Sequence, residues 1–189
     1  ILNVQSVSLS KTVENSELQN LIQALGCGIG ENFQFSKMRY EKIILMTDAD
    51  VDGSHITTLL ITFFYKYMYP IITNGCLYLA MPPLFKISYK NITEYAYSVK
   101  EKNNIIKKKF NKNSPLITRF KGLGEMPAEL LKKTTMDIKN RKLIKIYIKK
   151  DEKNLKKTRV LFESLMGKKA ELRFKFIQKN SNLVNVLDI

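Results

Sequence analysis

Residues 42–47 (KIILMT) and 76–81 (CLYLAM) are two short runs that are apolar on both alternating faces. A strand of that kind needs cover on both sides, which the interior of a mostly parallel sheet provides. Between the two runs, Ile56, Leu59, Leu60, Phe63, Phe64, Tyr67, Met68 and Ile71 recur at spacings of three and four, one face of a helix. Strand, long helix and strand in that order predict a βαβ unit with a right-handed crossover. The chain is therefore expected to be α/β, with a central, mostly parallel sheet flanked by helices. The helix is expected to start at Gly53-Ser54 and to end or kink at Pro70, and Pro82-Pro83 stops the second strand.

Upstream, Ile1-Leu2-Asn3-Val4 reads as the tail of a strand. Asn15-Ser16-Glu17 caps a helix that runs through Leu18, Leu21, Ile22 and Leu25 to Gly26 and Gly28. Downstream of the prolines the character changes. Residues 84–89 and 93–98 alternate around Lys90-Asn91 as in a hairpin, and residues 100–109 are charged and helical or mobile. A short strand over 116–120 enters Lys121-Gly122-Leu123-Gly124-Glu125-Met126, and Pro127 sits where a helix would start. Residues 143–148 alternate as a strand, and 152–183 are helical with a break at Gly167. This divides the chain into residues 1–83, the α/β part, and residues 84–189, a smaller basic α+β tail. No internal repeat is visible.

The 32 basic residues outnumber the 17 acidic ones, for a formal charge of +15. Such an excess attracts polyanions, nucleic acid first. Of the basic residues 27 are Lys and only 5 Arg, so A/T-rich codon usage is a competing source of the charge. Lys107-Lys108-Lys109 reads as a solvated face. No run of apolar residues is long enough to span a membrane, and no leader pattern opens the chain, so a cytoplasmic protein with no membrane partner is expected. Cys27 and Cys76 stand apart from any CxxC or His/Cys cluster, and they are expected to be buried reduced thiols.

The chemistry sits in Thr47-Asp48-Ala49-Asp50-Val51-Asp52-Gly53-Ser54-His55. Asp48, Asp50 and Asp52 stand at alternate positions at the C-terminal end of a buried strand, where ligand sites form in open α/β sheets. Carboxylates at i and i+2 on an extended chain point the same way, and crowded like charges repel unless a cation neutralises them. A hard divalent cation suits the cluster, and Mg²⁺ is typical where phosphate is the co-ligand. Four readings fit this spacing. An EF-hand loop matches through Gly53, but its twelfth position is Leu59 rather than Glu, and a strand precedes it. A phosphatase with a nucleophilic Asp would need downstream partners that have no clear place here. The acids could be solvated turn residues. The fourth reading is a metal site for phosphoryl transfer on nucleic acid.

Asp48-Ala49-Asp50-Val51-Asp52-Gly53-Ser54-His55-Ile56 resembles the acidic motif of the Toprim domain in bacterial type IIA DNA topoisomerases. Ile1-Leu2-Asn3-Val4, Ala24-Leu25-Gly26-Cys27-Gly28, Leu77-Tyr78-Leu79-Ala80, Pro82-Pro83-Leu84 and Arg119-Phe120 leading into 121–126 resemble the same family's B subunit, in its order. The resemblance implies a Toprim fold. Asp48 and Asp50 would be catalytic, and Asp48, Asp50 and Asp52 would bind Mg²⁺ at two sites in the complete enzyme. The active-site tyrosine would belong to an A subunit, in an A2B2 heterotetramer acting on double-stranded DNA. The Glu that completes the metal site lies, in the family, in an E-G-D-S-A block before the I-L-N-V block. ATP is bound by a domain further upstream, so no ATP-binding residue falls in this chain and the chain is expected to be inert alone. His55 is placed near the site, as a contact to phosphate or water or as a cap. Gly122 and Gly124 suit a loop whose backbone approaches DNA or another chain, with Lys121 meeting a phosphate and Leu123 and Met126 as anchors; the plain alternative is a turn between strand and helix.

Within the family, three features resemble topoisomerase IV more than gyrase. The interval over residues 85–120 is short, Leu131-Lys132-Lys133-Thr134-Thr135 lacks the Trp that gyrase chains usually carry before their T-T motif, and Gly167-Lys168-Lys169-Ala170-Glu171-Leu172-Arg173 lacks the acidic gyrase pattern. Outside this family, a basic α/β module with structural acids predicts no metal dependence, and another Toprim enzyme, a primase or nuclease, is disfavoured by the lysine-glycine block.

Overall fold

The computed structural model describes residues 1–111, 113–149 and 151–183. The last residues of the expected tail, 184–189, lie outside the described residues. The chain forms two compact units that interleave in sequence. The first takes Ile1–Ile43, His55–Tyr78 and the chain from Lys145 onward; the second takes Ile44–Ser54 and Leu79–Ile144.

In the first unit, Ile1-Leu2-Asn3 is not strand, and Val4–Ser6 is a single 3-10 turn. The side chain of Asn3 caps that turn by accepting the Gln5 amide, and its Nδ2 donates to the Met166 carbonyl at 2.9 Å. These bonds supply partners that a sheet would otherwise have to provide, which is the physical reason the expected strand gives way to a turn. Helix α1 (Leu9–Val13) is followed by α2 (Ser16–Leu25). Asn15 Oδ1 accepts the Leu18 amide at 3.1 Å, and Gly26 ends α2 in the left-handed region, as the sequence predicts.

Strand β1 (Ile43–Leu45) precedes α3 (Val51–Tyr67), and α4 (Tyr69–Thr73) follows after a break at Met68. Pro70 causes the break. It has no amide to give Lys66 and its ring crowds that turn, but it suits the first turn of a new helix. Phe63, Phe64, Met68, Ile71 and Ile72 are all buried, each worth roughly 1.5–3 kcal/mol against exposure. Ile56, expected on the same apolar face, is 40% exposed.

Strand β2 (Leu77–Met81) is the middle of a three-stranded sheet, β1-β2-β6, whose last strand comes after the second unit's other elements. The second unit also carries an antiparallel sheet of β3 (Phe85–Tyr89), β4 (Ile92–Ala96) and β5 (Leu116–Arg119), in the order β4-β3-β5. The hairpin register runs from Phe85↔Ala96 to Tyr89↔Ile92, with Lys90 at φ 52 in the two-residue turn. Helix α5 (Val99–Lys109) starts on the Ser98 hydroxyl and ends in Lys107, Lys108 and Lys109, where cations favour the negative end of the helix dipole. Its Ile105 and Ile106 pack on Phe85, Ile87, Ala96 and Phe110. Helix α6 (Ala128–Leu131) begins after Pro127 and widens into a π-helical turn, Lys132–Met136, with Thr134 and Thr135 buried. Strand β6 (Lys142–Lys145) and helices α7 (Glu152–Met166) and α8 (Ala170–Asn180) complete the described chain, with Gly167 at the break. The α/β class is as expected. No helix among the described residues is long and apolar enough to cross a membrane.

Candidate functional site

The acids follow β1 directly, as the sequence predicts, but the backbone between them is not extended. The chain bends at Ala49-Asp50 and is helical from Val51, two residues earlier than Gly53-Ser54. Asp50 causes the early start. Its Oδ1 accepts the Gly53 amide at 2.7 Å, and its carbonyl accepts the Ser54 hydroxyl at 2.9 Å, so it is the helix N-cap. Asp52 lies in the first turn, where the helix dipole favours a negative charge. The expectation that Asp48, Asp50 and Asp52 point the same way is corrected here, because alternation of faces needs an extended strand.

Gly53 makes the bend possible. A Cβ at this position would lie 2.2 Å from the Asp48 carbonyl oxygen and 2.9 Å from its nitrogen. Only a residue without a side chain lets the first turn of α3 close onto the backbone of Asp48.

Asp48 faces the lysine-glycine block. Its Oδ1 accepts the Leu123 amide at 2.7 Å, although the two residues are 75 positions apart. At Gly122 an added Cβ would lie 3.1 Å from the Asp48 Cγ and 3.2 Å from both carboxylate oxygens. The glycine expected to let backbone approach DNA or another chain thus approaches this chain's own acid. Nothing lies within 4 Å of the equivalent point on Gly124. The loop closes on itself through Glu125, whose Oε2 accepts the Lys121 amide at 2.8 Å. Leu123 packs on Phe120, Met126 and Leu130, while Lys121 is exposed, so anchors and lysine divide as expected. Ala49, Pro82, Pro83 and the loop leave a gap of about 10 Å³, at the limit for one water.

His55 is exposed on α3, one turn after Val51. All three acids are exposed as well. Their hard oxygens suit Mg²⁺ in kind. Among the described residues, no three carboxylate, imidazole or thiol groups converge as a closed metal cage, and Mg²⁺ typically takes one or two carboxylates and completes its shell with water and phosphate oxygens. The Leu123 amide and Glu125 were not anticipated as part of the site. A backbone donor leaves no trace in a sequence, and of the two glycines that hinted at close approach only Gly122 makes one.

Cys27 is a free thiol buried in the first unit, and burial pushes its pKa up, which disfavours the reactive thiolate. Cys76 is also free but only half-buried, less covered than expected.

The Toprim domain family matches residues 2–81, and the family described as DNA gyrase B subunit, carboxyl terminus, matches residues 112–178. The chain is 46% identical over 189 residues to the DNA gyrase B subunit of Metamycoplasma hominis, covering 100% of this chain and 28% of that protein. It is also 46% identical over 185 residues to the DNA topoisomerase 4 B subunit of Caulobacter vibrioides, covering 98% of this chain and 26% of that one. Against the DNA topoisomerase 4 B subunit of Bartonella bacilliformis it is 46% identical over 190 residues, 100% of this chain and 27% of the relative. The chain thus spans little more than a quarter of the relatives it matches, and equal identity to both kinds does not separate gyrase from topoisomerase IV. A Toprim domain, which binds Mg²⁺ in topoisomerases, followed by a gyrase B carboxyl-terminal domain places this chain among the homologues of type IIA DNA topoisomerase B subunits.

Proposed function

We propose that this chain is the Mg²⁺- and DNA-binding part of the B subunit of an ATP-dependent type II DNA topoisomerase, and that the complete cytoplasmic protein is topoisomerase IV. Residues 1–83 are its Toprim part and 84–189 its basic tail. The observation that carries the reading is the bond between Asp48 and the Leu123 amide, which holds the first acid beside a loop that exposes Lys121. Asp48 and Asp50 are the catalytic acids. Together with Asp52 and a Glu that the family resemblance places before Ile1, they hold the metal. When bound, Mg²⁺ stabilises charge on the transferring phosphate and the leaving 3′-oxygen during attack by the A-subunit tyrosine. Lys121 offsets the acids' repulsion of DNA by meeting a phosphate, and Gly122 and Gly124 keep its loop slim. His55 is retained as a near-site residue by its place in the motif. The partners are double-stranded DNA and the A subunit in an A2B2 assembly.

In the complete enzyme, Asp48→Asn is expected to abolish Mg²⁺-dependent DNA cleavage and leave ATP hydrolysis intact. Normal relaxation by this variant would overturn the reading. The preference for topoisomerase IV rests on the absence of Trp from residues 131–135, the short interval over 85–120 and residues 167–173. It predicts decatenation of linked circles without introduction of negative supercoils; supercoiling of a relaxed plasmid would assign the protein to gyrase. A second reading, a basic module with structural acids, is favoured by the bonds that Asp48 and Asp50 already make to the loop and to the helix. It predicts unchanged relaxation in Asp48→Asn.

A further inference from the structure

We infer that the Gly122–Leu123 backbone is a positioning element for Asp48: it engages Oδ1 and limits the orientations in which the carboxylate meets the cation. The inference rests on the metal-binding role proposed above for Asp48. Three observations in the second unit carry it. The Leu123 amide donates to Oδ1 at 2.7 Å, a short contact for an N–H to a carboxylate. The carboxylate lies against Gly122 so closely that an added Cβ would stand 3.2 Å from each of its oxygens. The loop that carries the amide is itself fixed, by the Lys121 amide on Glu125 and by Leu123 and Met126 in the Phe120 cluster. An exposed aspartate side chain would otherwise sample several rotamers. Here one oxygen is taken by a rigid donor and one face of the carboxylate is blocked by backbone, so few orientations remain.

The physical reason for such a device is electrostatic as well as geometric. A ligating carboxylate bonded by an outer partner is oriented before the metal arrives, and loss of that partner typically lowers metal affinity about 10- to 100-fold. A neutral amide does this without adding a charge that would compete with the cation. Gly122 and Leu123 are therefore positioning residues that act through Asp48.

Two substitutions isolate the effect. Gly122 has φ −145, extended backbone that any residue adopts, so Gly122→Ala disturbs only the contact with the carboxylate. Leu123 is the first residue of a 3-10 turn and follows an extended residue, the setting that tolerates proline, so Leu123→Pro deletes the amide proton together with the anchor side chain, and Leu123→Ala, which removes the anchor and keeps the amide, is its control. The experiment uses the complete B subunit assembled with its A subunit on DNA, and Mn²⁺ binding followed by electron paramagnetic resonance. Asp48→Asn, Gly122→Ala and Leu123→Pro are compared with the unmodified protein. Both loop variants are expected to weaken Mn²⁺ binding about tenfold or more. Cleavage is expected to need correspondingly more Mg²⁺ for half its maximum, with the maximal rate largely restored at saturation. A purely structural loop predicts the opposite split, with lowered melting temperature and unchanged metal titration. Loss of Mn²⁺ binding in Asp48→Asn with wild-type titrations in both loop variants would overturn the positioning role alone. Wild-type Mn²⁺ binding by Asp48→Asn would overturn the metal-binding role of Asp48 and the inference with it.

Discussion

Oδ1 of Asp50 accepts the amide of Gly53 at 2.7 Å, so the second acid of the motif is also the N-cap of α3. The same side chain thus has a structural task and a proposed chemical one, and the two can be separated. Asparagine caps helices about as well as aspartate but carries no charge. Asp50→Asn is expected to melt like the unmodified protein while losing Mg²⁺-dependent cleavage. Asp50→Ala is expected to lose about 1 kcal/mol of stability in addition. Chemical denaturation of both variants checks this; equal destabilisation by Asn and Ala would remove Asp50 from the cap.

Gly53→Ala tests the bend at Asp48. In an ordinary helix interior this change stabilises by roughly 0.8–1 kcal/mol. Here the new Cβ would meet the Asp48 carbonyl oxygen at 2.2 Å, and the partner atom is backbone that cannot swing aside. Overpacking of this kind costs about 1–3 kcal/mol, so the sign is expected to reverse. A raised melting temperature would show that the turn relaxes without loss.

The start of α7 should be sensitive to acid. Asp151 caps it, with Oδ2 bonded to the Asn154 side chain at 2.6 Å and Oδ1 to its amide at 2.9 Å. The Asn154 side chain first, and then its amide, hold the Asp151 carboxyl below the ordinary aspartate value. A depressed folded-state pKa contributes stability that is present above the unfolded value and is lost as pH falls through the folded one. Nuclear magnetic resonance of the Asn154 amide is expected to titrate with a midpoint below that of a free aspartate. A midpoint at or above the free value would contradict the cap.

Lys121 is exposed and its amide is already committed to Glu125, so removal of the side chain should leave the loop standing. In the assembled enzyme, Lys121→Ala is expected to weaken binding to unrelated duplexes alike, because phosphate contacts carry no base code. Each phosphate contact contributes roughly −0.9 to the slope of log affinity against log salt, so the slope should become shallower by about one unit. An unchanged slope would take Lys121 out of the interface and favour codon usage as the source of the charge.

Local rules made much of this architecture readable. The Asn15 cap, the Gly26 stop, the hairpin around Lys90-Asn91 and the breaks at Pro70 and Gly167 each depend on residues a few positions apart. Ile1-Leu2-Asn3 misled because its apolar pattern suits a strand, while the Asn3 side chain binds backbone and turns the chain. Helix α3 begins early because a cap at Asp50 competes with the strand-like alternation of the acids. The site was legible as composition and not as geometry. Asp48, Asp50 and Asp52 announced themselves by charge and spacing, whereas the Leu123 amide, which reaches Asp48 from far along the chain, is the same atom in almost every residue.

The antiparallel sheet of the second unit sets an order of assembly. Strands β3 and β4 pair across a two-residue turn, whereas β5 pairs with β3 in the register Ile87↔Ile117 and is separated from β4 in the chain by α5. Closing the longer loop costs more chain entropy before any contact rewards it, and non-local pairing slows folding. The β3–β4 hairpin is therefore expected to form ahead of the β5 edge. The loop that meets Asp48 follows β5, so it arrives last, and a newly made chain acquires its hairpin well before its acid gains a partner. In a mutational analysis of refolding, Ile87 and Ala96 should report early structure and Leu123 late structure.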